Sequence, residues 1–142
     1  MNTEKIEADG EVIALILRHG EKGEGVHFIT PDTYPLQVGA LFHRKGVVIK
    51  PHMHTKRKRV IEIAQEVLHI DTGEVEVDLY ASDGRKMETV TLYEGDTIFF
   101  AGGGHGLRIL KDCRIIEAKQ GPYMGVETEK IMLSDSHENS RK

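Results

Sequence analysis

Four side chains of this sequence have the types and spacing of a metal site: His52, His54, Glu66 and His105. One residue separates His52 from His54, so an extended backbone places both imidazoles on the same face of a strand. Glu66 begins the run EVLHI and shares a face with Leu68 and Ile70. A carboxylate at the end of an apolar row needs a partner, and a metal ion would supply one.

The third histidine follows a glycine run. His105 comes directly after residues 102–104 and begins an alternation with Leu107 and Ile109, which is typical of a strand. Three imidazoles and one carboxylate suit a borderline divalent metal such as zinc, iron, manganese or nickel. The sequence therefore predicts a divalent metal ion as cofactor, of undetermined identity.

A cation lies close to the first two histidines. Lys50 has the same parity as His52, so it is a candidate substrate-binding residue that would recognise a carboxylate, phosphate or carbonyl oxygen. The alternative is that its stem lies along the surface and its ammonium stays at the rim. The residues alone leave both positions open.

These residues resemble the first motif of the cupin superfamily. In that motif a glycine, His-x-His, a glutamate and a second glycine follow one another, and here they are Gly46, His52, His54, Glu66 and Gly73. The first and last intervals fit the family. The spacer between His54 and Glu66 is longer, with eleven residues where the family usually has three or four, so Glu62 is a second candidate for the carboxylate ligand.

The second cupin motif is also similar to a stretch of this chain. Gly95 is followed after five residues by Ala101, where the family usually has a proline, and then by a glycine-rich turn and His105. The resemblance implies a cupin-type jelly-roll barrel, also called a double-stranded β-helix, with a divalent metal in its mouth and a homodimeric assembly.

Length and composition place limits on the class of protein. The chain has 142 residues, one cysteine and a formal net charge of −4, which predicts one domain over residues 1–133 in a reducing, cytoplasmic setting. Residues 134–142 are too polar to pack and predict a disordered tail. The acidic balance and short apolar runs argue against nucleic acid and membrane as partners. The basic run 56–59 is expected to be a solvated loop, with a rim that attracts anionic substrate and, less favoured, a nucleic-acid patch as the alternatives.

The apolar pattern favours an all-β fold. Short apolar runs bounded by glycine, proline and Asp-Gly recur along the chain, and none keeps helical spacing over three turns. Strands are predicted at EVIALILR, VVIK and RIIEAKQG, among others, and residues 60–63 are either an extra strand or the arm of a long loop that accounts for the lengthened spacer. Thr72-Gly73 and Asp83-Gly84 are both hairpin signals. Glu117, Lys119 and Tyr123 have the chemistry of a site, and equally that of a solvated strand edge.

Three functions fit these observations. The first is a cupin metalloprotein that acts on a small polar metabolite as an isomerase, epimerase or dioxygenase. The second is a non-catalytic sensor that uses the same pocket, and the third is a metal-independent sugar-nucleotide isomerase with a His and Tyr pair. The run KQGPY, residues 119–123, resembles one in small cupins associated with bacterial surface-sugar pathways.

Overall fold

The elements of this chain are nearly all strands. A computed structural model describes residues 1–133, within which the all-β prediction is confirmed. The strands are β1 Glu4–Ala8, β2 Glu11–Leu17, β3 Gly25–Phe28, β4 Gly39–Phe42, β5 Glu66–Tyr80, β6 Lys86–Tyr93, β7 Thr97–Phe100 and β8 Gly104–Lys119, and a single turn of helix, α1, covers Val126–Glu129.

Six of the strands form one strongly curled antiparallel sheet, which makes a half-barrel. Its path runs β1, β2, β7, β5, β6, and β8 pairs with the other edge of β5. The strands β3 and β4 form a separate hairpin. Every pairing in the six-stranded sheet is antiparallel. Short turns join β1 to β2 and β5 to β6, whereas β2–β7, β5–β7 and β5–β8 pair strands that are not consecutive in the chain.

The central strand β5 corrects one prediction. Thr72-Gly73 does not turn the chain, and β5 continues through it as a single strand of 15 residues. Gly73 has a φ of 94°, and the register with β8 shifts between Ile70 and Val75. The glycine therefore produces a bulge that bends the strand, rather than a hairpin. The Asp83-Gly84 turn between β5 and β6 is formed as predicted.

Alternation along the strands builds a core on each face of the sheet. On the concave face Leu68 lies opposite Ile98, and Val75, Val77 and Leu79 are fully buried. On the convex face a smaller cluster forms around Phe99, which packs with side chains from the connection between β3 and β4 and from that hairpin's flanks. Residues 29–38 thus cover the back of the sheet.

Residues 43–64 do not form the predicted strand at VVIK, and of the two alternatives for residues 60–63 the structure has the arm of a long loop rather than an extra strand. The whole segment is exposed and without regular structure. Pro51 has no backbone N–H to give to a ladder, and the His52 ring lies 2.9 Å from the Lys50 carbonyl oxygen, a local bond that competes with strand pairing.

Two further points concern the C-terminal tail and membrane-spanning helices. The tail at residues 134–142 lies outside the described residues. Among residues 1–133 there is no helix with the length and apolar character needed to cross a membrane.

Candidate functional site

The bend in β5 brings its two ends together. Glu66, at the start of β5, pairs with Phe100, while Leu79 near the other end pairs with His105. Phe100 and His105 stack with ring centroids 3.8 Å apart and an interplanar angle of 7°. As a result His105 Nε2 lies 3.7 Å from Glu66 Oε2, although the two residues belong to opposite ends of the β5–β8 ladder.

Glu66 forms a carboxyl pair with Glu117 of β8. The two side chains share a face because Glu117 pairs with Leu68, two positions along β5. Burial, a hydrogen bond with Glu117 and that residue's charge raise the pKa of Glu66 to about 7. The bond from Glu66, and a second from Lys119, lower the pKa of Glu117. Glu66 is therefore the proton donor in the pair, and Glu117 is the charged acceptor.

His105 is a neutral imidazole at this site. Burial lowers its pKa, as does the positive charge of Lys130, while Glu117 acts in the opposite direction. The 3.7 Å separation from Glu66 is too long for a hydrogen bond. The stack on Phe100 fixes the orientation of the ring. His105 Nε2 therefore faces Glu66 without a hydrogen bond between them.

Glu66, Phe100 and His105 lie on the wall of a cavity of about 700 Å³, whereas Glu117 contacts Glu66 without lining the cavity. Its lining comes from the end of the 43–64 segment, the glycine turn before β8, and the end of β8 with the chain that follows it. The KQGPY run, which begins at the last residue of β8, lies wholly on this lining. The chain after α1 returns across the mouth, because Leu133 lies against Gly84 and Gly104. The volume suits a small metabolite.

The four predicted metal ligands fall into two pairs. Glu66 and His105 face each other on the cavity wall, and His52 and His54 lie on the exposed 43–64 segment with ring centroids 5.3 Å apart. Across residues 1–133 no group of three or more His, Cys, Asp or Glu side chains is arranged to hold a metal ion. In this arrangement the residues do not fit a four-ligand centre, and the divalent metal stays a prediction.

Glu62 and Lys50, the two residues whose roles the sequence left open, lie at different places relative to the cavity. Glu62, the rival carboxylate, lies on the cavity lining together with Glu66, but only Glu66 is on a strand and in contact with His105. Lys50 is exposed on the 43–64 segment and does not line the cavity. Its role in binding substrate is also still a prediction.

Sequence reasoning identified Glu117, Lys119 and Tyr123 without placing them. Lys119 and Tyr123 lie on the cavity lining and Glu117 lies beside it. The Lys119 ammonium is 2.9 Å from Glu117 and 5.5 Å from the centre of the Tyr123 ring. The residues it missed are Phe100, Gln120 and Lys130. The alternation of Ile98 and Phe100 could have indicated the first, whereas Lys130 reaches the site through a chain return that no local pattern predicts.

The glycines of both sequence motifs have a physical role here. Gly46, Gly73 and Gly95 have φ values of 93°, 94° and 86°, a backbone conformation that other residues adopt only with strain. Their spacing therefore marks the points where the chain turns or bulges.

Comparison of the chain with protein-family models, with curated proteins and with solved structures finds no match.

Proposed function

We propose that this chain binds a small polar metabolite in the cavity and transfers a proton to and from it through the Glu66–Glu117 pair. The observation that carries the proposal is the carboxyl pair, in which Glu66 lies on the cavity lining near the neutral His105 and Glu117 is bonded to Glu66 from beside the lining. A pair that holds one proton contains both a base and an acid. An isomerase or epimerase needs such an acid and such a base to move a proton on its substrate.

The chemistry suited to the site is the shift of a proton between neighbouring carbons of a hydroxy-carbonyl compound. The ionised fraction of Glu66, whose pKa is about 7, takes the proton from the carbon beside the carbonyl group, and the electron pair of that C–H bond forms the C=C bond of an enediolate as the carbonyl oxygen gains the negative charge. The proton of the neighbouring hydroxyl then moves to that oxygen, and Glu66 returns its proton to the former carbonyl carbon, so the isomerisation is complete without net oxidation. Neutral His105 is placed to donate a hydrogen bond to the carbonyl oxygen as it gains charge.

A sugar or sugar derivative is the substrate that we favour, and a cupin-type jelly roll is the fold. The curled antiparallel half-barrel and the positive φ values at Gly46, Gly73 and Gly95 support the cupin resemblance. The sugar-pathway resemblance rests on KQGPY, and all five of its residues line the cavity. Within the three functions considered, this is closest to the metal-independent isomerase, with His105 and Tyr123 both on the lining.

The test is deuterium exchange into a panel of aldoses and ketoses in heavy water, followed by proton NMR. The wild type should label the carbon beside the carbonyl, and Glu66→Gln should slow the labelling by about a hundredfold or more. Glu88→Gln on the exposed face of β6 is the matched control and should exchange at the wild-type rate. If a sugar binds but is never labelled, the non-catalytic sensor is the correct function.

A metal-dependent form of the same site is the second candidate. Two observations favour it. Glu66 lies near His105 and His52 lies beside His54, so each pair of the predicted ligands is already together. The segment that carries His52 and His54 also reaches the cavity lining, at residues 61–64. A movement of that segment would be needed to join the halves. Zinc should then bind with an affinity that depends on His54 and Glu66 together.

Equilibrium dialysis with zinc, combined with trypsin digestion, tests this candidate. If the four ligands converge, zinc should protect the basic run 56–59 from cleavage, and both His54→Ala and Glu66→Gln should remove the protection. If His54→Ala removes zinc but Glu66→Gln does not, the histidines bind metal on their own. That result would reject the four-ligand site while leaving the proton-transfer proposal intact.

A further inference from the structure

The side chain of Gln120 has an unused hydrogen-bond donor on the cavity lining. Its Oε1 accepts a bond of 2.7 Å from the backbone N–H of Gln65, which fixes the orientation of the amide. Its Nε2 is buried and has no partner among residues 1–133. A buried donor without an acceptor is costly, so a bound group with an acceptor oxygen would stabilise this position.

The residue that supports Gln120 is itself rigidly held. Gln65 is buried, its Nε2 donates to the Ala101 carbonyl oxygen at 3.3 Å, and its Oε1 accepts from the Leu36 N–H at 3.4 Å. This chain of amides connects the back of the sheet to the cavity lining. The Gln120 donor is therefore positioned by packing rather than by chance, which is what a specificity-determining group requires.

A cation on the same lining also lacks a partner. The other lining lysine, Lys119, pairs with Glu117, but the Lys130 ammonium makes no hydrogen bond or ion pair within the described part of the chain. Lys130 lies on the same cavity lining as Glu66 and His105, and its positive charge acts to lower the pKa of Glu66, Glu117 and His105. A ligand with negative charge would place its own oxygen atoms between these groups.

We infer that the ligand of this cavity carries an oxyanion group, a carboxylate or a phosphate, which is bound by the Lys130 ammonium and the Gln120 amide. The inference rests on the proposed function, because it assigns the class of molecule on which the carboxyl pair acts. Such a ligand is an acidic derivative of a hydroxy-carbonyl compound. The anion would anchor it while the carbonyl carbon faces Glu66 and His105.

The experiment is a titration of the full chain with sodium pyruvate, inorganic phosphate and neutral acetone, monitored by NMR of amide-labelled protein. One of the two anions should bind saturably at concentrations up to about 10 mM, a range that detects a Kd near about 1 mM. Acetone should not. Saturable binding of pyruvate alone would assign a carboxylate, and of phosphate alone a phosphate ester. Absence of binding by both anions overturns the inference.

Two variants and one control locate the binding. Lys130→Met should weaken binding of the anion about tenfold or more, and its effect should shrink as ionic strength rises. Gln120→Met should have a similar effect that does not depend on salt. Lys22→Met, a lysine away from the cavity lining, should change nothing. Because the Lys130 ammonium has no described structural contact, its variant should fold even if the Gln120 variant does not.

The result is separable from the proton-transfer proposal. Glu66→Gln should still bind the anion, since neither anchoring group is removed. If the anion binds through Lys130 but no substrate exchanges deuterium, proton transfer is wrong and the anion site stands. If Lys130→Met keeps full affinity, or acetone binds as well as pyruvate, the oxyanion assignment is wrong whatever the enzyme activity.

Discussion

A carboxyl group that holds its proton near neutral pH changes the stability of the protein with pH. The pKa of Glu66 is raised from 4.5 to about 7 by burial and by its bond with Glu117. Between these two values the folded protein binds a proton that the unfolded chain has released. The contribution of Glu66 is therefore most favourable at low pH, and it is lost as pH rises toward and past 7.

The first prediction follows from this loss of stability as the pH rises. Glu66→Gln keeps a neutral donor toward Glu117 at every pH, so it should be nearly neutral for stability at about pH 5. At about pH 8 it should stabilise the fold by about 1 kcal/mol, a value reduced for the solvent that reaches the side chain. Urea unfolding at both pH values measures the difference. An effect of equal size at the two pH values, or the same trend in Glu88→Gln, would contradict it.

A second buried carboxylate has the opposite character. Asp96 is almost fully buried, and it accepts hydrogen bonds from Arg18 Nη1 at 2.8 Å and from the backbone N–H groups of His19 and Tyr93 at 2.8 and 3.0 Å. Burial alone would raise the pKa of Asp96, but these bonds hold it below its usual range. The residue joins the end of β2 to the turn before β7.

The second prediction is that Asp96→Ala destabilises the protein by about 3 kcal/mol. The change leaves two backbone donors without an acceptor and removes one partner of Arg18. Chemical denaturation provides the measurement. Asp83→Ala, at an exposed turn, should cost less than about 1 kcal/mol. Similar losses for the two variants would show that the Asp96 network adds no stability.

The sequence predicted the residues of the site better than their arrangement. Glu66 was identified because it heads an apolar row, and it does lie at the rim of the concave face. The pairing of Glu66 with Glu117 could not be predicted, since it depends on the register between β5 and β8, which bulges shift three times. The place of His52 and His54 likewise depends on whether residues 43–64 pair with the sheet.

At the scale of elements, the bend of β5 is what assembles the site. A straight strand of this length would keep Glu66 and Leu79 far apart. A side chain at Gly73 would meet the Asp112 carbonyl oxygen and would lie 2.7 Å from the Cys113 Cα atom. The positive φ and the close approach of β8 both require glycine at the bulge.

The third prediction is that Gly73→Ala destabilises the protein by at least about 2 kcal/mol, through backbone strain and the clash with β8. In any folded fraction, the NMR signal of the His105 ring should change, because the ends of β5 separate. Gly106→Ala is the matched control. It lies on β8 with open space around it, and its effect should stay within about 1 kcal/mol.

At the scale of the whole molecule, the curled sheet leaves part of its concave side uncovered. Leu107 and Ile109 pair with Val77 and Val75 and face the same side, yet both are about half exposed. Residues 43–64 also expose apolar side chains, among them Val48, Met53 and Val60. The homodimer predicted from the cupin resemblance stays a prediction, and sedimentation analysis would measure it.

The fourth prediction concerns this exposed segment. Trypsin should cleave first within residues 56–59, because four consecutive cations lie on exposed chain without ladder hydrogen bonds. Cations on β8, such as Arg108 and Lys111, should be cut only after the fold is lost. Mass spectrometry of early fragments gives the order. First cleavage within β8 would mean that residues 43–64 are protected in solution.

The strand order also determines when the molecule can fold as it is synthesised. The β1–β2 hairpin forms first, but its ladder partner β7 lies more than eighty positions later, since Ala14 pairs with Phe100. β5 likewise can complete its ladder only after β8, the last of the described strands, has been synthesised. Pairings between such distant segments form slowly. The nascent chain therefore exposes the apolar rows of β2 and β5 until β7 and β8 have been synthesised, and a chaperone that shields them would be expected to raise the yield of folded protein.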